Sequence, residues 1–93
     1  MIGPDTRVRL AGKARLRFDE RSGKHMLLYP ERGLELSDTA ARIAALCSGG
    51  DRTVGAIVDE LAAAADGEPR ARIESDVMAF LRALEDRGLL VPA

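Results

Sequence analysis

Apolar and polar residues alternate in the first part of the chain and recur every three to four residues in the second, with the change at Ser37. Ala14-Arg15-Leu16-Arg17-Phe18 alternates strictly, which predicts a strand with Leu16 and Phe18 facing inward and Arg15 and Arg17 outward. Glu20 to Lys24, with Ser22-Gly23 inside it, reads as a hairpin turn. His25 to Tyr29 is a second strand. Its apolar residues are consecutive, so it is expected at the centre of the sheet, covered more fully. Pro30-Glu31-Arg32-Gly33 reads as the next turn, and Leu34-Glu35-Leu36 as a short third strand with both leucines on one face. Residues 1–12 are polar and mixed, with Gly3, Pro4 and Gly12. They read as a loosely ordered arm, although Val8 and Leu10 alternate with Arg7 and Arg9.

Beyond Ser37 the period becomes helical. Ser37 is suited to cap a helix, with Asp38 favourably placed in its first turn. Ala40, Ile43, Ala44 and Cys47 follow at spacings of three and four, and Ser48-Gly49-Gly50 ends the pattern. Thr53 can cap a second helix, in which Val54, Ile57, Val58 and Leu61 share one face. Asp66-Gly67 breaks it, and Pro69 suits the first turn of a third. There Ile73, Val77, Phe80, Leu81 and Leu84 form one stripe, with Gly88 at the expected C-terminal cap. Leu89-Leu90-Val91 returns as an apolar tail that can dock on the core as a short strand.

The order predicts an α+β fold: a three-stranded antiparallel sheet followed by three helices, close to a winged helix-turn-helix. Residues 13–93 are expected to form a single domain. With 93 residues, 46% of them apolar, the chain can build one modest core. The 31% of charged residues and the net charge of -1 fit a soluble globular domain rather than a disordered chain. No apolar run reaches the roughly 20 residues of a membrane span, and Met1 to Asp5 has no signal-peptide core, so a cytoplasmic protein is expected.

Catalytic patterns are absent. Ser22, Ser37, Ser48 and Ser75 sit in no nucleophile motif. The lone Cys47 lies in an apolar helical pattern, far in sequence from the lone His25, which predicts a buried structural thiol. One Cys and one His cannot assemble a metal site without recruiting carboxylates. Ser48-Gly49-Gly50-Asp51 lacks the Lys-Ser/Thr of a phosphate loop. No catalytic residue, metal or cofactor is expected.

Charge is uneven: residues 1–33 carry a net +4 and residues 34–93 a net -5. A helix that reads the major groove needs exposed basic or amide side chains. The second helix offers Asp59 and Glu60 instead, and the third interleaves its arginines with Glu74, Asp76, Glu85 and Asp86. Much of that surface repels phosphates; the basic residues lie instead in the strand half, where Arg15 and Arg17 are the candidates for a DNA-contacting wing. Nucleic acid is not the expected partner. What remains is the third strand, an edge whose unpaired N–H and C=O groups can take up an extended peptide. The third helix would wall the adjacent groove. The pattern alone fits equally an edge that is merely short and tolerated.

Three stretches carry a family resemblance. Leu34-Glu35-Leu36-Ser37-Asp38-Thr39-Ala40-Ala41-Arg42-Ile43 resembles the strand-to-helix junction of the PqqD family. Leu46 to Val54, with Ile57-Val58 and Leu61, is similar to its helix–Gly–Thr-Val–helix segment. Asp76-Val77, Phe80-Leu81, Leu84 and Gly88-Leu89 resemble its last helix and end. Lys13 to Asp19 and Leu28-Tyr29-Pro30-Glu31 fit as well, so the likeness spans residues 13–91. The doubled Gly49-Gly50 departs from the family's single glycine, and Met1 to Gly12 has no distinctive match.

The resemblance implies a precursor-peptide recognition element of pyrroloquinoline quinone biosynthesis. In that family the precursor peptide PqqA adds a strand beside the third strand, and the loaded adaptor engages PqqE, a radical SAM enzyme that holds the iron–sulfur clusters. On this chain the implied contacts are Gly33, Leu34, Glu35, Leu36 and Ser37 on the strand side, and Asp76, Ala79, Phe80 and Ala83 on the helix side. A monomer or weak dimer with no membrane partner is expected. The alternatives are a recognition element of another modified-peptide pathway, a winged-helix DNA-binding regulator, or a module that dimerises edge to edge.

Overall fold

The computed structural model describes residues 2–93. Its elements are β1 (Val8–Leu10), β2 (Arg15–Asp19), β3 (Lys24–Tyr29), β4 (Arg32–Leu36), α1 (Asp38–Cys47), α2 (Val54–Ala64), α3 (Arg70–Asp86) and β5 (Leu90–Pro92). β2, β3 and β4 form an antiparallel meander with β3 in the middle. β1 and β5 form a separate two-stranded ribbon. Three strands and three helices in this order make the α+β fold that the change of period predicts.

The arm at residues 1–12 is where local reading and structure part. Val8 and Leu10 are 1% and 8% exposed, and they pair with residues some 80 positions away: Val8 with Pro92, Leu10 with Leu90. Ile2 is also in the core. The arm receives the amides at the start of α2, Val54 N–H donating to Thr6 at 2.9 Å and Gly55 N–H to Pro4 at 2.8 Å. A three-residue strand carries too little signal of its own. Its partner is the apolar tail, which only the folded chain brings near.

The first two helices start, and the third stops, where the sequence supplies a partner. Ser37 Oγ accepts the Ala40 N–H at 3.1 Å, and Thr53 Oγ1 accepts the Ala56 N–H at 3.1 Å. Each such cap is worth about 1 kcal/mol. α3 lacks a side-chain cap, and Pro69 stands at its N-cap rather than inside its first turn. Its end is a Schellman pattern: Gly88, at a φ of 73°, donates to Glu85 at 2.9 Å, and Leu89 donates to Leu84 at 2.9 Å. That turn sends Leu89 into the core, where it is fully buried.

One layer of the core lies between the sheet and α1, which packs on β2, β3 and β4. Leu27 and Leu36 from the sheet meet Ala41, Ile43, Ala44 and Cys47 from α1 in the same cluster. α3 packs on α2 and β5. Val77, Leu81 and Leu84 form its buried stripe, and Ile73 and Phe80 are half-buried beside it. Phe18 does not point into this core: it is 50% exposed. It sits at the turn end of β2, where its ring stacks on His25 with centroids 4.8 Å apart.

Candidate functional site

The hairpin between β3 and β4 decides which backbone groups are free. The loop is two residues, Pro30 and Glu31, and Tyr29 pairs with Arg32. Pro30 pre-sets its own φ, while Glu31 takes the left-handed value of 67°. The turn is therefore shorter than the sequence implies, and β4 begins at Arg32 rather than Leu34. A two-residue hairpin closes on a hydrogen-bonded pair, and bonding alternates from there. Arg32, Leu34 and Leu36 thus turn their N–H and C=O groups toward β3. Gly33 and Glu35 turn theirs to the open edge of β4, the last strand of its sheet.

Side chains on β4 divide by face. Leu34 and Leu36 point toward α1, half-buried and 6% exposed respectively, and serve the core. Glu35 lies on the outer face, 3.0 Å from Lys24. Gly33 lies beneath Met26 and Leu28, whose side chains lean so close that a Cβ there would meet them at 3.1 and 3.2 Å. Ser37 is committed to capping α1, so its hydroxyl already has a partner.

On α3, Asp76, Phe80 and Ala83 fall at spacings of four and three, on one row beside the buried stripe. Ala79 and Ala83 are exposed, Phe80 is half-buried against the core, and Asp76 is exposed. Asp76 and Thr39 border one cavity of about 290 Å³, which also reaches Arg42 and Ile43. Through Thr39 and Asp76 the start of α1, which follows β4 directly, and the first half of α3 share a cleft. Ala79, Phe80 and Ala83 do not line that cavity. The contribution of α1 to the cleft was not visible in the sequence. Its only trace is that Thr39 and Arg42, three residues apart, stand off the apolar face of α1.

Among the described residues no other arrangement competes as a chemical centre. Cys47 is fully buried, and burial pushes its thiol up to about 11, so it stays protonated and unreactive at neutral pH. His25 Nε2 lies 3.4 Å from Asp38 Oδ1 and joins β3 to the start of α1. Among the described residues no group of His, Cys, Asp and Glu could hold a metal ion, and no helix is long and apolar enough to cross a membrane.

Known proteins similar to this chain in sequence and in shape agree with one another. The family model described as Coenzyme PQQ synthesis protein D (PqqD) matches residues 24–90. A "PqqA binding protein" of Rhodopseudomonas palustris (strain BisB5) is 43% identical over 92 residues, covering 99% of this chain and 88% of that one. The solution structure of the PqqD truncation of Methylobacterium extorquens PqqCD, described as a stand-alone RiPP recognition element, superposes with a TM-score of 0.81. It is 35% identical and covers 98% of this chain and 95% of that one. TbiB1 in complex with the TbiA(β) leader peptide superposes at 0.74, with 26% identity and coverage of 88% and 93%. The chain belongs to the PqqD family.

Proposed function

We propose that this chain binds the precursor peptide PqqA by strand addition at β4 and presents it to the radical SAM enzyme PqqE in pyrroloquinoline quinone biosynthesis. It acts in the cytoplasm as a carrier, not as an enzyme, and brings no cofactor of its own. The observation that carries this reading is the open edge of β4, with the backbone groups of Gly33 and Glu35 directed away from β3. An extended peptide satisfies these groups as a further antiparallel or parallel strand. Its side chains then meet Asp76, Phe80 and Ala83 along α3. Two kinds of relative support the assignment: chains named for binding PqqA, and a similar fold solved with a leader peptide bound.

Strand addition also bears on assembly. A stable dimer through β4 would consume the edge that the peptide needs, so the working form is a monomer or a weak dimer. Ordering a flexible peptide costs several kcal/mol, which places the affinity in the sub-micromolar to micromolar range. That range suits a carrier that hands its cargo to an enzyme.

The test is a titration of isotope-labelled protein with a synthetic PqqA-type peptide, followed by backbone amide shifts. Saturable shifts clustered at residues 33–37 and 72–84 are expected. Unmoved spectra at a few hundred micromolar peptide would contradict the reading. Duplex DNA titrated in the same way should leave the amides of Arg15 and Arg17 unmoved.

A further inference from the structure

The outer face of the sheet, turned away from α1, carries side chains that pairing along β4 does not use. Its rows follow the strand register: Arg15 beside Leu28 and Gly33, Arg17 beside Met26 and Glu35. The helix that packs on all three strands, α1, lies on the other side. Met26 and Leu28 are apolar and only half-buried. They lean over Gly33, where the missing side chain lets them reach toward the open edge of β4. An open groove of about 760 Å³ runs along the face, bordered by Arg17 and Arg21 beside Met26 and Leu28, with Asp19 and Glu20 at its turn end.

Charge on this face is not balanced within the chain. Lys24 and Glu35 pair with each other at 3.0 Å. Asp19 accepts the Arg21 N–H at 3.0 Å and is held by its own turn. Among the described residues Arg15 and Arg17 form no ion pair, and both are exposed. Guarding the β2 edge accounts for the arginines, but it gives no reason for the apolar centre between them and β4. Phosphates would use the arginines and leave Met26 and Leu28 bare. An apolar centre rimmed by unpaired cations fits a protein surface of the opposite kind, an apolar side chain among carboxylates. By ordinary strand spacings, five residues on three strands cover roughly 240 Å², well under the roughly 800 Å² per side of a stable complex. That size suits a brief contact steered by charge.

We infer that this outer face docks an acidic surface of the enzyme that receives the peptide, with Met26 and Leu28 taking an apolar side chain and Arg15 and Arg17 the carboxylates around it. A peptide on the β4 edge and along α3 leaves this face uncovered. Continuity through Gly33 sets the docked enzyme next to the added strand. The inference rests on the presentation reading above, and its test separates the two.

The test uses a purified PqqE-type enzyme and the chain, free and loaded with the synthetic PqqA-type peptide. Arg15→Glu with Arg17→Glu reverses the rim, and Arg15→Gln with Arg17→Gln replaces it should the reversal perturb the fold. Arg7→Glu with Arg87→Glu makes the same change of net charge elsewhere. Affinity for the enzyme is read by fluorescence anisotropy, and the Met26 and Leu28 methyl groups by NMR. Reversing the rim should weaken enzyme binding by about tenfold or more at low salt, with peptide affinity in the absence of enzyme unchanged within about twofold. The control pair should cost under about threefold, and the Met26 and Leu28 methyls of the native chain should shift or broaden with enzyme. An enzyme that binds the reversed rim as tightly and leaves those methyls unmoved would overturn the face and leave presentation standing. An enzyme that binds neither the free nor the loaded native chain would overturn the reading on which the face rests. Shifts of the same methyls with duplex DNA, with anionic vesicles or with rising concentration of the chain itself, in place of the enzyme, would overturn the acidic protein partner.

Discussion

The sheet has two edges, and they differ in what stands beside them. On β2 the alternation that frees Gly33 and Glu35 on β4 frees Leu16 and Phe18, because Met26 and Leu28 bond across to Arg17 and Arg15. Both strands are five residues long, and both offer unpaired backbone groups. β2 carries Arg15, Arg17 and Asp19 along an exposed face, a common defence against unwanted pairing. β4 runs into the cap of α1, whose first turn borders a cleft shared with α2 and α3. An open edge is therefore not a site by itself. On the proposed reading, the charged face of β2 and the helix that follows β4 decide which edge takes the peptide.

The largest effect should come from removing one outward N–H on each edge. Glu35→Pro is expected to weaken binding of a PqqA-type peptide by about 10–100-fold, the cost of a lost hydrogen bond and an unsatisfied carbonyl in the peptide. Phe18→Pro, the matching change on β2, should leave affinity within about twofold. Calorimetry on both folded variants decides between the edges, and equal losses would erase the distinction.

Comparable in size is an alkaline effect that spares neither edge. Burial raises the Cys47 thiol from its ordinary value near 9 to about 11. Its stabilising contribution is thus complete below pH 9 and is lost as pH rises through about 11. The loss is on the order of 2–3 kcal/mol, seen as a fall in the urea midpoint between those pH values. Cys47→Ala should flatten this slope at the expense of overall stability. Because α1 packs on all three strands of the sheet, the loosening should affect β2 and β4 alike.

Ser37→Ala should cost about 1 kcal/mol in denaturant unfolding through the lost cap, with peptide affinity changed less than about threefold. A larger loss of affinity at unchanged stability would return the hydroxyl to the peptide site. Glu35→Gln is the smallest change. It breaks an exposed pair with Lys24 but keeps the N–H, so stability should move by under about 0.5 kcal/mol and affinity by under about twofold.

Much of this architecture was legible because its signals are local. Ser37 and Thr53 announce their helices by capping chemistry, Gly88 announces the end of the last, and the alternation of Leu16 with Arg15 and Arg17 declares a strand. The misreadings share one cause. Val8 and Leu10 belong to a ribbon whose other half lies at the far end of the chain, and Phe18 alternates inward but lies at the turn end of its strand, outside the core. β4 was legible as an edge, yet the direction of its N–H groups depended on a two-residue turn at Pro30-Glu31 that reads as four residues in the sequence. The α3 row was legible by spacing. The wall that α1 gives the cleft was not, since Thr39 and Arg42 look like ordinary solvent-facing positions until α3 is folded beside them.

Hydrogen exchange at four amides tests the central claim most directly. In the free chain the N–H groups of Gly33, Glu35, Leu16 and Phe18 all face away from ladder partners and should exchange quickly. With saturating PqqA-type peptide, Gly33 and Glu35 should slow by about tenfold or more, while Leu16 and Phe18 stay fast. Protection at Leu16 and Phe18 instead, or at none of the four, would contradict capture of the peptide by strand addition at β4.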